Sequence, residues 1–376
     1  MGRDGGGEKG ETDATVGDDI LIAEEHGEAI NASGHVQELE RNFGLLSICS
    51  VGIVTGNSWC ALGGSIVVAL YNGGPPGIIY EFIAVCIFYF LVAACVAELA
   101  SAIPSSAGGM AYSIGTPDCV SHLAEEIPNP KTNIPKAIAA QMIIGFVTGF
   151  SYLVAILYSI NSFDDVLQNN FTFPLAEIYY QATSSRGGAL GLILVIFFCT
   201  VITCVGTYIT SGRMLWTLAR DGATPFSKSL ARVSRTWKNP FRATLVCGIA
   251  CTVLGCIYIG STTAFNAFVG SFVVLSTLSY LAAILPHLLT RRVNVKPGPF
   301  WMPTSLGMAI LCISSAYIVV WNTIYFFPYV QPVTAKNMNY SVVITGGLTI
   351  VALCWWLIKS VHGYQGPSIR NVGGET

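Results

Sequence analysis

Eight apolar runs, near residues 44 to 71, 78 to 103, 136 to 160, 188 to 211, 243 to 260, 263 to 286, 305 to 328 and 340 to 359, govern what this chain can become. Each is about as long as a helix must be to cross a hydrocarbon core roughly 30 Å thick. The expected architecture is therefore an all-α polytopic membrane protein with about eight transmembrane helices. Composition agrees: 52% of residues are hydrophobic and 11% charged, where soluble domains approach about a quarter charged. Mean hydropathy is +0.59. A net charge of −2 leaves no basic face for nucleic acid. The fifth and sixth runs are separated only by Gly260-Ser261-Thr262, which requires a tight helical hairpin.

Lys and Arg orient the bundle, because cytoplasmic segments carry the excess of them. With the N-terminus inside, the inner segments hold Arg41, Lys131, Lys136, Arg213, Arg220, Lys228, Arg232, Arg235, Lys238, Arg242, Arg291, Arg292, Lys296, Lys359 and Arg370. The outer loops hold only Arg186 and Lys336. Both termini are thus expected to be cytoplasmic, and the sequons Asn170-Phe171-Thr172 and Asn339-Tyr340-Ser341 fall outside. Residues 1–42, rich in Gly, Glu and Asp, read as a disordered tail without a cleaved leader. Residues 43–360 form the transmembrane domain and 361–376 a second tail. The stretch from 99 to 135 is too interrupted by Pro, Gly and charge to span. Eleven of the twelve cysteines lie within apolar runs, with no Cys-x-x-Cys pair and no His at ligand spacing, so they read as small packing residues.

Within the first run, Gly52-Ile53-Val54-Thr55-Gly56-Asn57-Ser58-Trp59 departs from ordinary membrane helix. Two glycines four apart, followed by polar residues at mid-depth, make the helix easy to open. In lipid such an opening is tolerated where it lines a cavity or an ion path. A half-helix ending there offers free carbonyls, and one starting there offers N–H groups at its positive end, so a carboxylate or an ammonium group can bind. Gly52, Ile53, Thr55, Gly56 and Asn57 are the substrate-binding candidates on this run. The competing reading is a Gly-x-x-x-Gly packing face with Asn57 as interhelical glue.

The motifs around this break resemble the amino acid/polyamine/organocation (APC) superfamily of permeases. They are Arg41-Asn42-Phe43-Gly44-Leu45-Leu46-Ser47, Gly56-Asn57-Ser58-Trp59, Tyr71-Asn72-Gly73-Gly74-Pro75 and Ala97-Glu98-Leu99-Ala100-Ser101-Ala102-Ile103-Pro104. Further on, His122-Leu123-Ala124-Glu125-Glu126-Ile127-Pro128-Asn129-Pro130 and Ile134-Pro135-Lys136-Ala137-Ile138 look like the loop after that family's sixth helix. Arg213-Met214 with Ala219-Arg220-Asp221-Gly222-Ala223-Thr224-Pro225-Phe226 looks like its signature after the eighth. The likeness is strongest to the fungal GABA and choline permease branch. It implies twelve spans in a LeuT-type fold with two inverted repeats. Here Gly108-Gly109, which should open the third helix, runs within a few residues into Ile114-Gly115-Thr116-Pro117-Asp118-Cys119, which looks like the break of the sixth. The implied fold is incomplete, without the third to fifth helices and the first half of the sixth, and has its junction near 110–118. An even number of lost crossings leaves both sides of the junction cytoplasmic, as the charge distribution requires.

The resemblance adds Gly115, Thr116 and Asp118 as substrate-binding candidates, against a plain cytoplasmic turn. It also adds Thr200, Thr203 and Thr207 as a possible cation site facing the first helix. Threonines in helices also bond back to their own carbonyls. Glu81, Glu98 and His287 are expected to reach the membrane interface as anchors. No His-Glu-x-x-His helix, P-loop or nucleophile elbow is present in the sequence, so no enzyme, catalytic residue, cofactor or metal is expected. The resulting expectation is a secondary permease of the plasma membrane. It would move an amino acid, GABA, choline or a related nitrogenous solute with H+ or Na+ by alternating access. The rivals are a transport-incompetent truncated membrane protein and, more remotely, a channel.

Overall fold

The computed structural model describes residues 21–23, 28–30, 44–55, 74–103, 126–168, 174–234, 236, 239–293, 295–328, 331–335 and 338–361. Two three-residue strands, β1 (Leu21–Ala23) and β2 (Glu28–Ile30), pair antiparallel within the N-terminal segment. Among the described residues, everything else with regular structure is helical.

The helices are α1 (Leu45–Thr55), α2 (Gly74–Ala102), α3 (Pro130–Ser159), α4 (Phe163–Gln168), α5 (Pro174–Thr183), α6 (Arg186–Arg220), α7 (Ser227–Leu230), α8 (Phe241–Gly260), α9 (Thr262–Leu289), α10 (Thr304–Tyr325) and α11 (Ser341–Val361). Among the described residues, seven of them (α2, α3, α6, α8, α9, α10 and α11) are long and apolar enough to cross a membrane. The first expected span is present in part as α1, and residues 56–73 lie outside the described set.

Local chemistry explains several helix ends. Proline at the first position of α3 sacrifices no intrahelical bond, since that N–H has no acceptor in the helix. Asn129 before it takes a left-handed backbone, and the Asn133 amide donates to the Pro128 carbonyl over 2.6 Å. Ser185 caps α6 by accepting from the Gly188 N–H. Only Ser261 separates α8 from α9, and its hydroxyl accepts from the Ala264 N–H at 3.2 Å, so the tight hairpin is a capped helix start. At 35 residues, α6 extends to roughly 52 Å. That exceeds the roughly 30 Å of the membrane core.

Two apolar clusters hold the bundle. The larger joins Ile48 of α1, Val92, Ala93 and Cys95 of α2, Ile134, Ala137 and Ile138 of α3, Tyr280 and Ile284 of α9, and Leu311 and Ile318 of α10. Aromatic stacking reinforces it, with the Phe88 and Tyr317 rings 4.4 Å apart. The second joins the start of α2 at Ile78 to the end of α3, to α4 and α5, and to Ala189 and Ile196 of α6. The ten described cysteines are all unpaired thiols.

Candidate functional site

Helix α1 meets the bundle along one side. Ile48 and Gly52, one turn apart, are both buried, and Ile48 belongs to the cluster formed with α3. The end of α1 lies against the middle of α6, where the Thr203 hydroxyl sits 3.0 Å from the Val54 carbonyl oxygen and 2.9 Å from that of Cys199. One hydroxyl hydrogen serves two carbonyls of different helices, 149 positions apart in sequence for the Val54 contact. Three oxygens from two elements therefore converge next to the Gly52 to Thr55 turn. Oxygen donors of this kind suit a hard cation or a polarised N–H group.

The other threonines behave differently. Thr200 donates to the Ile196 carbonyl and Thr207 to the Thr203 carbonyl, each over 2.9 Å and each within α6. Of the three hydroxyls, only Thr203 contacts α1. Ile53 is half-buried, and Thr55 ends α1 with its side chain outside the described residues. Gly56, Asn57, Gly115, Thr116 and Asp118, together with the junction at 110–118, also lie outside the described residues.

Glu98 and His287, expected as interfacial anchors near the ends of α2 and α9, are enclosed by protein. Glu98 is fully buried and His287 is 3% exposed. One Glu98 carboxylate oxygen lies 2.9 Å from Arg292 Nη2 and 3.2 Å from His287 Nε2, and the other accepts the Met302 N–H at 2.9 Å. Arg292 also donates to the Met302 carbonyl at 2.8 Å and lies 4.4 Å from the centre of the Trp301 ring. Burying a carboxylate is tolerable when charge and hydrogen bonds surround it, and here both are supplied by chain 189 or more positions away. Glu81, by contrast, is exposed near the start of α2.

A second ion pair was not legible either. Glu126, just before α3, receives Arg213 Nε at 2.7 Å and Nη2 at 3.3 Å, a two-pronged contact that ties the α3 entry to α6. Both residues lie in motifs visible in the sequence, but their pairing is a product of the packing.

A family model described as amino acid permease matches residues 108–348. The chain belongs to this amino acid permease family. That membership places it among membrane permeases rather than enzymes. Among its relatives, a choline transporter of Saccharomyces cerevisiae is 32% identical over 249 residues, covering 66% of this chain and 44% of the relative. An amino-acid permease of Schizosaccharomyces pombe is 29% identical over 259 residues, covering 67% and 47%. The amino-acid permease BAT1 of Arabidopsis thaliana is 27% identical over 272 residues, covering 69% and 51%. The chain spans about half the length of these relatives.

Proposed function

We propose that this permease-family chain is a secondary transporter of a small nitrogenous solute, such as an amino acid, GABA or choline, driven by an H+ or Na+ gradient at the plasma membrane. The candidate solute-binding residues are Gly52, Ile53, Thr55, Gly56 and Asn57 of the first span, with Gly115, Thr116 and Asp118 as the second group. The observation that carries this reading is the Thr203 hydroxyl shared between α6 and the Val54 carbonyl, beside the glycine-bearing end of α1. It supplies oxygen ligands where the sequence makes the helix easiest to open. Relatives named as a choline transporter and amino-acid permeases support the solute class.

The test is uptake of radiolabelled choline, GABA and a panel of amino acids into cells expressing this chain, with a full-length relative as control. Saturable uptake that Asn57→Ala or Gly56→Leu abolishes supports the reading. A membrane-inserted protein that accumulates none of these solutes, while the control does, overturns it for this chain.

One observation favours the second reading, a transport-incompetent short form. The apolar windows of α6 and α8 are each only 6% buried, and the chain spans about half its relatives' length. A wall that other family members supply would be missing beside α6. Co-expression separates the two readings: a short form that modulates a longer relative changes that relative's uptake without transporting by itself.

A further inference from the structure

The segment between α6 and α8 starts and ends in membrane-spanning helices, so it cannot leave the bilayer surface. Its described residues are tied to the helices around them. Trp216 Nε1 donates to the Ala231 carbonyl at 3.1 Å, and Trp355 Nε1 of α11 donates to the Ala223 carbonyl at 2.6 Å. The Ser234 N–H donates to the Asn239 carbonyl at 2.9 Å, and Arg242 Nη1 to the Ser229 hydroxyl at 3.0 Å.

Between these contacts Phe226 lies exposed. Its side chain is 84% exposed and its φ is 56°, a left-handed backbone that bulky residues rarely adopt. Phe241, at the start of α8, is 53% exposed. Around these rings Lys228, Arg232 and Arg242 are exposed cations. The nearest carboxylate in the chain, that of Asp221, is buried and lies 3.9 Å from Arg220, and no Asp or Glu follows from Gly222 to Gly374.

We propose that Phe226, Lys228, Arg232, Phe241 and Arg242 form a docking surface for the anionic phospholipid headgroups of the leaflet they face. The rings sit at headgroup depth, as amphipathic and aromatic side chains do at membrane boundaries, and the cations meet the phosphates. Charges this close to the surface lie within a Debye length of about 8 Å. Each basic residue near an anionic leaflet contributes about fivefold in affinity. The inference depends on the membrane embedding of α6 and α8 and not on transport.

The experiment is native mass spectrometry of the purified full chain in detergent, titrated with phosphatidylserine or with phosphatidylcholine. The expected result is at least tenfold tighter retention of phosphatidylserine, weakening with added salt. Retention falls about 100-fold in the triple variant Lys228→Gln, Arg232→Gln, Arg242→Gln, and less in Phe226→Ala. Lys296→Gln, a basic residue outside the surface, leaves it unchanged, whereas Lys228→Gln or Arg232→Gln alone, with the same loss of one charge, lowers it about fivefold. Gel filtration of each variant verifies folding, which these exposed positions preserve. Equal retention of the two lipids by the parent overturns the proposal, as does a triple variant that binds like the parent. It also falls if phosphatidylserine binds only after deletion of the acid-rich residues 1–42, because the surface then belongs to that tail.

Discussion

At the scale of single residues, burial decides what a polar group does. Thr203 and Thr207 are the same residue type one turn apart on α6, yet one hydroxyl reaches α1 and the other returns to its own helix. A net hydrogen bond of this kind contributes about 1 kcal/mol. Thr203→Val is expected to lower the uptake rate roughly fivefold, while Thr207→Val leaves it near the parent value; initial-rate measurements at matched surface expression decide. Glu98 makes a stronger case. Removing one partner of a buried, hydrogen-bonded ion pair costs about 3–5 kcal/mol, so Glu98→Ala should lower the melting temperature sharply in detergent. Glu98→Gln, which can still accept the Met302 N–H, should lose less. Equal melting of all three proteins would show that the Arg292, His287 and Met302 contacts contribute nothing to stability.

At the scale of helices, close approach is set by a few small residues. A Cβ on Gly212 of α6 would lie 3.1 Å from the Thr244 Cα of α8, and a backbone atom cannot turn aside as a flexible side chain can. Gly255 of α8 has open space around it out to 4 Å. Overpacking typically costs about 1–3 kcal/mol. Gly212→Leu is therefore expected to lower thermal stability by that amount, whereas Gly255→Leu stays within about 0.5 kcal/mol of the parent; differential scanning fluorimetry compares the two. The contact between Glu126 and Arg213 works at the same scale, because it fixes where α3 starts relative to α6. Glu126→Arg should destabilise, and adding Arg213→Glu should restore part of the loss, a coupling that a double-mutant cycle measures.

At the scale of the whole molecule, charge segregates by side. The basic residues Arg213, Arg220, Lys228, Arg232, Arg242, Arg291, Arg292 and Lys296 gather around the connection between α6 and α8 and the one between α9 and α10. The hairpin turn at Ser261 lies at the other end of α8 and α9. Impermeant maleimide applied to intact cells should label Ser261→Cys on a background lacking reactive native thiols. It should fail to label Ser229→Cys until the membrane is permeabilised. The reverse pattern would invert the proposed orientation. The sparse burial of α6 and α8 also belongs to this scale, since the described residues leave both helices open to lipid or to another polypeptide.

The spanning helices, the hairpin at Ser261 and the family were all legible in the sequence. The reason is local: a helix closes its hydrogen bonds four residues away, and lipid demands that it does so, so length and hydropathy suffice. The break expected at Gly52 to Trp59 lies partly outside the described residues, with Gly52 to Thr55 helical, and the contact of Thr203 with the first helix was an implication of resemblance alone. What tertiary structure decided was which polar groups meet. Glu98 looked like an interfacial anchor because its neighbours in sequence are apolar and a helix end is near. Its partners His287, Arg292 and Met302 lie 189 to 204 positions away, and no local pattern announces them. The same holds for the Trp216 and Trp355 hydrogen bonds to the Ala231 and Ala223 carbonyls, the second across 132 positions.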